Sequence, residues 1–132
     1  MYHGGKKPLI AVIEDDPALR EVLDWVLSAA EYRVIAHESA EEFMRWRGLR
    51  PDCLVVDVRL PGLGGLELLA RLRDVGDQIP AVVVTAFDAA ATRNAAHLAG
   101  AAFLKKPFDE RALIRAIENA IERALRQSAI SG

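Results

Sequence analysis

Apolar residues follow two alternating rhythms along the chain. Unbroken apolar runs stand at Leu9 to Ile13 (LIAVI), Cys53 to Val56 (CLVV) and within AVVVT after Pro80. Such runs read as strands covered on both faces. Arg33 to Ala36 and Ala102 to Lys105 read as two shorter strands. Between the runs the spacing becomes helical. Leu19, Val22, Leu23, Val26 and Leu27 repeat at i, i+3, i+4, i+7 and i+8, with Trp25 off that stripe and expected to be part exposed.

The helix boundaries carry their own signals. Asp16 followed by Pro17 is an N-cap with proline at the first helical position. Ser39 with Glu42 has capping-box spacing and predicts a helix through Arg47 carrying Phe43 and Trp46. A glycine-rich turn precedes a helix from about Gly65 to Arg73. A further helix from about Ala89 to Ala99 ends at Gly100, a C′ glycine. Asp109 caps the last helix, whose inner face holds Leu113, Ile117, Ala120, Ile121 and Ala124 and whose outer charges read as a solvated face.

Five strand–helix units predict an α/β fold: a doubly wound five-stranded parallel sheet of order 2-1-3-4-5 with five helices, flavodoxin-like in type. One domain spanning 1–132 is expected, with a core of about 8–125 and short tails. In such sheets ligands bind beyond the carboxyl ends of the strands, near the switch between the first and third.

Composition narrows the classes. The net charge of −2 gives no overall pull toward nucleic acid or an anionic membrane, and Lys6-Lys7 reads as a solubilising edge. No apolar run approaches the length of a membrane span and no signal-peptide core is evident. The single cysteine, Cys53, excludes an internal disulfide and reads as an inert core residue. A soluble, cytoplasmic protein is the expectation.

The strand ends deliver Glu14, Asp15 and Asp16 from the first strand, Asp57 from the third, Thr85 from the fourth and Lys106 from the fifth. Singly each has a plain reading: Asp16 as a cap, Asp57 as a turn former, Thr85 as a strand end, Lys106 as a surface lysine. Jointly they place clustered carboxylates, a hydroxyl and an ammonium at the ligand edge. Two carboxylates ~4 Å apart repel by about 4 kcal/mol at an effective dielectric near 20. A divalent cation such as Mg²⁺ would offset that, and an aspartate beside it is arranged to attack phosphorus. His3, His37 and His97 share no motif, and no Walker-type loop occurs.

These stretches resemble the receiver domain of two-component response regulators. AVIEDDPALR is similar to the acidic first-strand motif, VVDVRLPGLGGLELL to the phosphorylation strand and loop, VVVTA to the switch-threonine strand and FLKKPF to the lysine–proline motif. The resemblance implies Asp57 as phosphoacceptor and Mg²⁺ held by Asp15, Glu14, Asp57 and the backbone carbonyl of Arg59. Thr85 would bond the phosphoryl group and move with it, Lys106 would pair with it, and the Lys106–Pro107 bond would be cis. Phe103 matches the switch aromatic, with a core-aromatic reading open beside it. Arg59 and Phe87 fall where the family tunes phosphoryl lifetime.

Two departures stand out: the stretch from Gly100 to Phe103 is one residue shorter than the commonest pattern, and Gly64 replaces an aspartate or asparagine. The implied partner is a histidine kinase or histidine phosphotransfer protein, recognised largely by the first helix and nearby loops (Leu19, Arg20, Leu23, Asp24, Leu27). A homodimer through the fourth helix, fifth strand and fifth helix fits the resemblance, as do a stand-alone receiver and one cut from a longer regulator. Such a domain assists its own phosphorylation and dephosphorylation and is not an enzyme on external substrates. Alternatives are a phosphorelay intermediate, a phosphorylation-independent adaptor and a haloacid-dehalogenase-type phosphatase, the last lacking its second aspartate because Arg59 stands there. A flavodoxin would need a phosphate loop where this chain is acidic.

Overall fold

The computed structural model describes residues 6–131; His3 and the start of the expected N-terminal tail lie outside them. The elements follow in strict alternation: β1 (Leu9–Ile13), α1 (Pro17–Ala29), β2 (Arg33–His37), α2 (Ala40–Arg45), β3 (Cys53–Asp57), α3 (Gly65–Asp74), β4 (Ala81–Thr85), α4 (Ala90–Leu98), β5 (Ala102–Lys105) and α5 (Glu110–Ser131). All neighbouring strands pair in parallel in the order β2-β1-β3-β4-β5. The expected fold class and order hold.

The sheet is packed on both faces, which explains the unbroken apolar runs. Ile10, Val12, Val55 and Val84 meet Leu23, Leu27, Leu113 and Ile117 of α1 and α5. Ala11, Ile13, Leu54 and Val83 meet Leu68 and Leu69 of α3 and Ala96 of α4. Each fully buried aliphatic side chain contributes about 1.5–3 kcal/mol relative to exposure. Cys53 is fully buried in the first of these layers, and burial pushes its thiol up to about 12; a thiol so rarely ionised is inert.

Capping works largely as the residues suggest. The Asp16 carboxylate accepts from the Ala18 amide at 3.0 Å, and the Ser39 hydroxyl accepts from Glu42 N–H at 3.0 Å. The Glu42 carboxylate does not return to Ser39; it takes the Glu38 amide at 3.2 Å. The Gly100 amide donates to His97 and the Ala101 amide to Ala96, both at 2.9 Å. That double closure requires the positive φ of +70° found at Gly100, an αL conformation that glycine adopts freely.

Several boundaries move. Helix α2 stops at Arg45, short of Arg47, because Trp46 turns to an extended backbone. Its indole donates to the Leu49 carbonyl at 3.0 Å, and its ring covers Gly48, where a Cβ would collide with it. Strand β2 gains His37, which pairs with Ile13. Val22 is 53% exposed although it belongs to the α1 stripe; it forms the rim of a groove and not the core. Trp25 is exposed as expected. Helix α5 continues beyond Leu125, where a tail was expected, as far as Ser131.

Candidate functional site

The carboxyl ends of β1 and β3 bring the acidic residues together. One carboxylate oxygen from each of Glu14, Asp15 and Asp57 lies within 4.8 Å of the other two. Glu14 and Asp57 are 2% and 6% exposed, so water screens their repulsion poorly. Asp15 is exposed at the rim, and Asp16 turns away to cap α1. The Glu14 carboxylate also accepts from Asp16 N–H at 3.2 Å.

Lys106 is the internal counter-charge. Its Nζ lies 2.8 Å from Asp57 Oδ2 and 3.1 Å from Glu14 Oε1. Burial disfavours its charged form, but the bonds to Asp57 and Glu14 outweigh this and hold the ammonium above its ordinary value. Burial, followed by the nearby Asp57 charge, raises the Glu14 carboxyl above its ordinary range despite the Asp16 amide and Lys106. The Lys106–Pro107 bond is cis.

The loop after β3 is built from close backbone approaches. The Arg59 amide donates to Asp57 Oδ1 at 3.1 Å, and the Gly65 amide donates to the Val58 carbonyl at 3.1 Å. A Cβ on Gly65 would collide with the Asp57 carbonyl oxygen. The Glu41 carboxylate of α2 braces the loop by accepting the Leu63 amide at 2.8 Å; that bond holds its carboxyl below the ordinary range.

Thr85 is buried at the end of β4. Its hydroxyl accepts from Phe87 N–H at 3.1 Å, and its carbonyl accepts from Lys106 N–H at 2.8 Å. Asp57, Arg59, Thr85, Phe87 and Lys106 line one open cavity of about 250 Å³. Across it the Arg59 guanidinium carbon stands 4.0 Å from the Phe87 ring centroid. A wider, largely apolar groove of about 470 Å³ reaches the same lysine, lined by Leu19, Val22, Val26 and Phe108.

Glu14, Asp15, Asp57, Thr85 and Lys106 therefore meet, with the Arg59 amide on Asp57. Phe103 is elsewhere: it is half-buried and packs on the core layer formed with α3 and α4. Two contributions to the acidic site were not read from sequence, one of them from Arg20, expected only as a partner-recognition position. Arg20 reaches back from α1 so that one Nη donates to the carbonyls of Glu14 at 2.8 Å and Asp15 at 3.4 Å. Gly65 supplies the close approach under Asp57, and the Gly64-Gly65 pair opening a helix was its only signal.

Chemically, three carboxylates face one ammonium, leaving an excess of negative charge in a partly dehydrated oxygen-rich pocket. That donor set fits a hard divalent cation. A carboxylate beside a bound cation, an ammonium and a hydroxyl is a set of groups suited to nucleophilic chemistry at an oxygen-rich centre.

Comparison with known proteins agrees. The family profile described as "Response regulator receiver domain" matches residues 10–118. The transcriptional regulatory protein FixJ of Azorhizobium caulinodans is 39% identical over 121 residues, 89% of this chain and 57% of that protein. The response regulator MprA of Mycobacterium ulcerans is 45% identical over 101 residues, 75% of this chain and 44% of that protein. Among solved structures, FixJ-N superposes with a TM-score of 0.81 at 34% identity, covering 89% of this chain and 95% of that one. The non-phosphorylated HemR receiver domain from Leptospira biflexa gives 0.78 at 31%, covering 87% and 94%. The chain spans about half the length of the curated relatives it matches.

Proposed function

The chain belongs to the response regulator receiver family of two-component signalling, and from that premise we propose that Asp57 is its phosphoacceptor. The observation that carries the reading is the bridge from Lys106 Nζ to Asp57 and Glu14 at 2.8 and 3.1 Å, beside the three-carboxylate cluster. The domain works as one unit over its core of about 8–125.

In this mechanism an Asp57 carboxylate oxygen attacks the phosphorus of a phosphohistidine on a histidine kinase or phosphotransfer protein. A P–O bond forms and the P–N bond breaks, its electron pair staying on the imidazole, which then takes a proton. Glu14, Asp15, Asp57 and the Arg59 carbonyl would hold Mg²⁺, which would supply charge neutralisation at the transferring group. Lys106 shifts its ammonium from the Asp57 carboxylate to a phosphoryl oxygen. Thr85 turns its hydroxyl from accepting the Phe87 amide to donating to another. The groove along α1 receives the donor. Phe103 is the reporter that follows Thr85, altering the surface of α4, β5 and α5. Hydrolysis of the acyl phosphate resets the domain, which acts in the cytoplasm.

The experiment is intact-mass measurement after incubation with Mg²⁺ and acetyl phosphate. One added phosphoryl mass is expected on the wild type and none on Asp57→Asn. No addition to the wild type, or equal addition to both, overturns the proposal.

A further inference from the structure

The opposite end of the molecule holds a second polar site. We infer that the crevice between the C-terminal turns of α3 and α4 and the flank of α5 carrying Ala120, Arg123, Ala124 and Gln127 binds a phosphate-sized tetrahedral oxyanion. The crevice has a volume of about 150 Å³ and is lined by Arg73, Gln78, Arg123 and Gln127 around a floor that includes Ala102 and Ala120. No aspartate or glutamate lines it. Its polar lining is therefore made of guanidinium and carboxamide groups.

Arg73 is the fixed member. Its Nε donates to the Ala99 carbonyl at 2.9 Å and one Nη donates to the Asp77 carbonyl at 2.9 Å. These bonds restrain the guanidinium while leaving donors of its fork uncommitted. Both acceptors are neutral carbonyls, so neither cancels its charge. The nearby Asp77 carboxylate is engaged by Arg50 at 2.7 Å and by the Ile79 amide at 3.1 Å. Burial is the main influence lowering Arg73 below its ordinary value, as befits a half-buried cation with incomplete compensation.

Arg123, on α5, is the exposed member. Its side chain, like those of Gln78 and Gln127, makes no hydrogen bond or ion pair among the described residues. Two guanidinium groups and two carboxamides thus line the crevice, with the Asp77 charge, engaged by Arg50, compensating Arg73 only in part. Charge-assisted bonds from arginine forks suit phosphate-type oxygens. The volume is below that of drug-sized pockets, which selects an ion of phosphate size over a nucleotide. An occupant would join α3, the α4–β5 turn and α5 through a single charge.

This inference does not depend on phosphorylation of Asp57, and it is tested without metal. Inorganic phosphate is titrated into the full chain in chelator at constant ionic strength, with sodium chloride and acetate as separate arms, while amide shifts are followed by NMR. Saturable shifts are expected at Gly100 and Ala102 and at the Gln127 side chain, with no matching change at Arg59 or Phe87. Arg123→Gln, on an exposed position, is expected to weaken binding about tenfold, the loss of one charge-assisted contact; Arg73→Gln is expected to weaken it at least as much. No saturation, equal shifts with chloride or acetate, or unchanged binding in Arg123→Gln overturns the assignment, whether or not Arg73→Gln folds.

Discussion

Arg59 and Phe87, on loops after different strands, stack across the cavity that holds Asp57, with Cζ 4.0 Å from the ring centroid. Both residues line that cavity beside Asp57. Arg59→Ala and Phe87→Ala are each expected to shorten the lifetime of the Asp57 acyl phosphate about two- to fivefold, the scale of an exposed cation–π contact. The double variant should be little faster than either single one, because both remove the same contact. Acyl phosphate decay after removal of the donor measures this; additive effects would show that the stack is not the unit.

Gly65→Ala tests the packing under the acidic site. The added methyl would collide with the Asp57 carbonyl oxygen, so the end of β3 or the start of α3 must shift. Overpacking of this kind costs about 1–3 kcal/mol. Urea denaturation should show the loss, and phosphorylation by acetyl phosphate should slow in the folded variant because the Asp57 side chain is displaced. Gly76→Ala is the control for loss of a glycine, since its strain comes from a φ of +83° with no neighbour within 4 Å.

Clustering Glu14, Asp15 and Asp57 sets like charges together, a cost that a bound cation would relieve. Asp15 is exposed and makes no bond to Lys106. In chelator, Asp15→Asn is expected to leave stability unchanged or raise it by up to about 1 kcal/mol, the scale of solvated charge pairs. Mg²⁺ should stabilise the wild type, by about 2.7 kcal/mol at a hundredfold excess over its dissociation constant. That gain should be largely absent in Asp15→Asn. Thermal melts across a Mg²⁺ series read both; equal Mg²⁺ stabilisation of the two proteins would contradict the assigned ligand.

His37 predicts an acid limb of stability. Burial lowers its folded value below the ordinary 6.5, and the Glu42 bond only partly offsets this. Between the folded value and 6.5 the unfolded chain therefore binds more protons than the folded one, so stability rises with pH. The contribution is complete above 6.5 and is lost as pH falls through 6.5 toward the folded value. Denaturation midpoints should fall from pH 7.5 to pH 5.5 in the wild type, and His37→Gln should show a shallower fall. An identical slope in the two would remove His37 as the cause.

Much of this architecture is legible in the residues because it rests on short-range rules. Strand β1 and helix α1 are visible from LIAVI, Asp16 and Pro17 alone, and Gly100 marks the end of α4 by its conformation. The carboxylates, Thr85 and Lys106 are legible because the topology sends every strand's carboxyl end to one edge. What is not legible depends on tertiary geometry. The early stop of α2 comes from a Trp46 ring that settles on Gly48, which no local propensity announces. Arg20 looks like a surface residue until its reach to the Glu14 carbonyl is seen. Val22 fits the helical stripe and still lines a groove, beside Pro107 and Phe108.

The bond from Lys106 to Glu14 joins residues 92 positions apart. Contacts of that separation carry a loop-closure cost that near ones do not. Neither β1 with its acids nor β5 with its lysine holds the pocket alone. A nascent or partly unfolded chain therefore lacks the assembled pocket, and the domain becomes competent to receive a signal only as it becomes native.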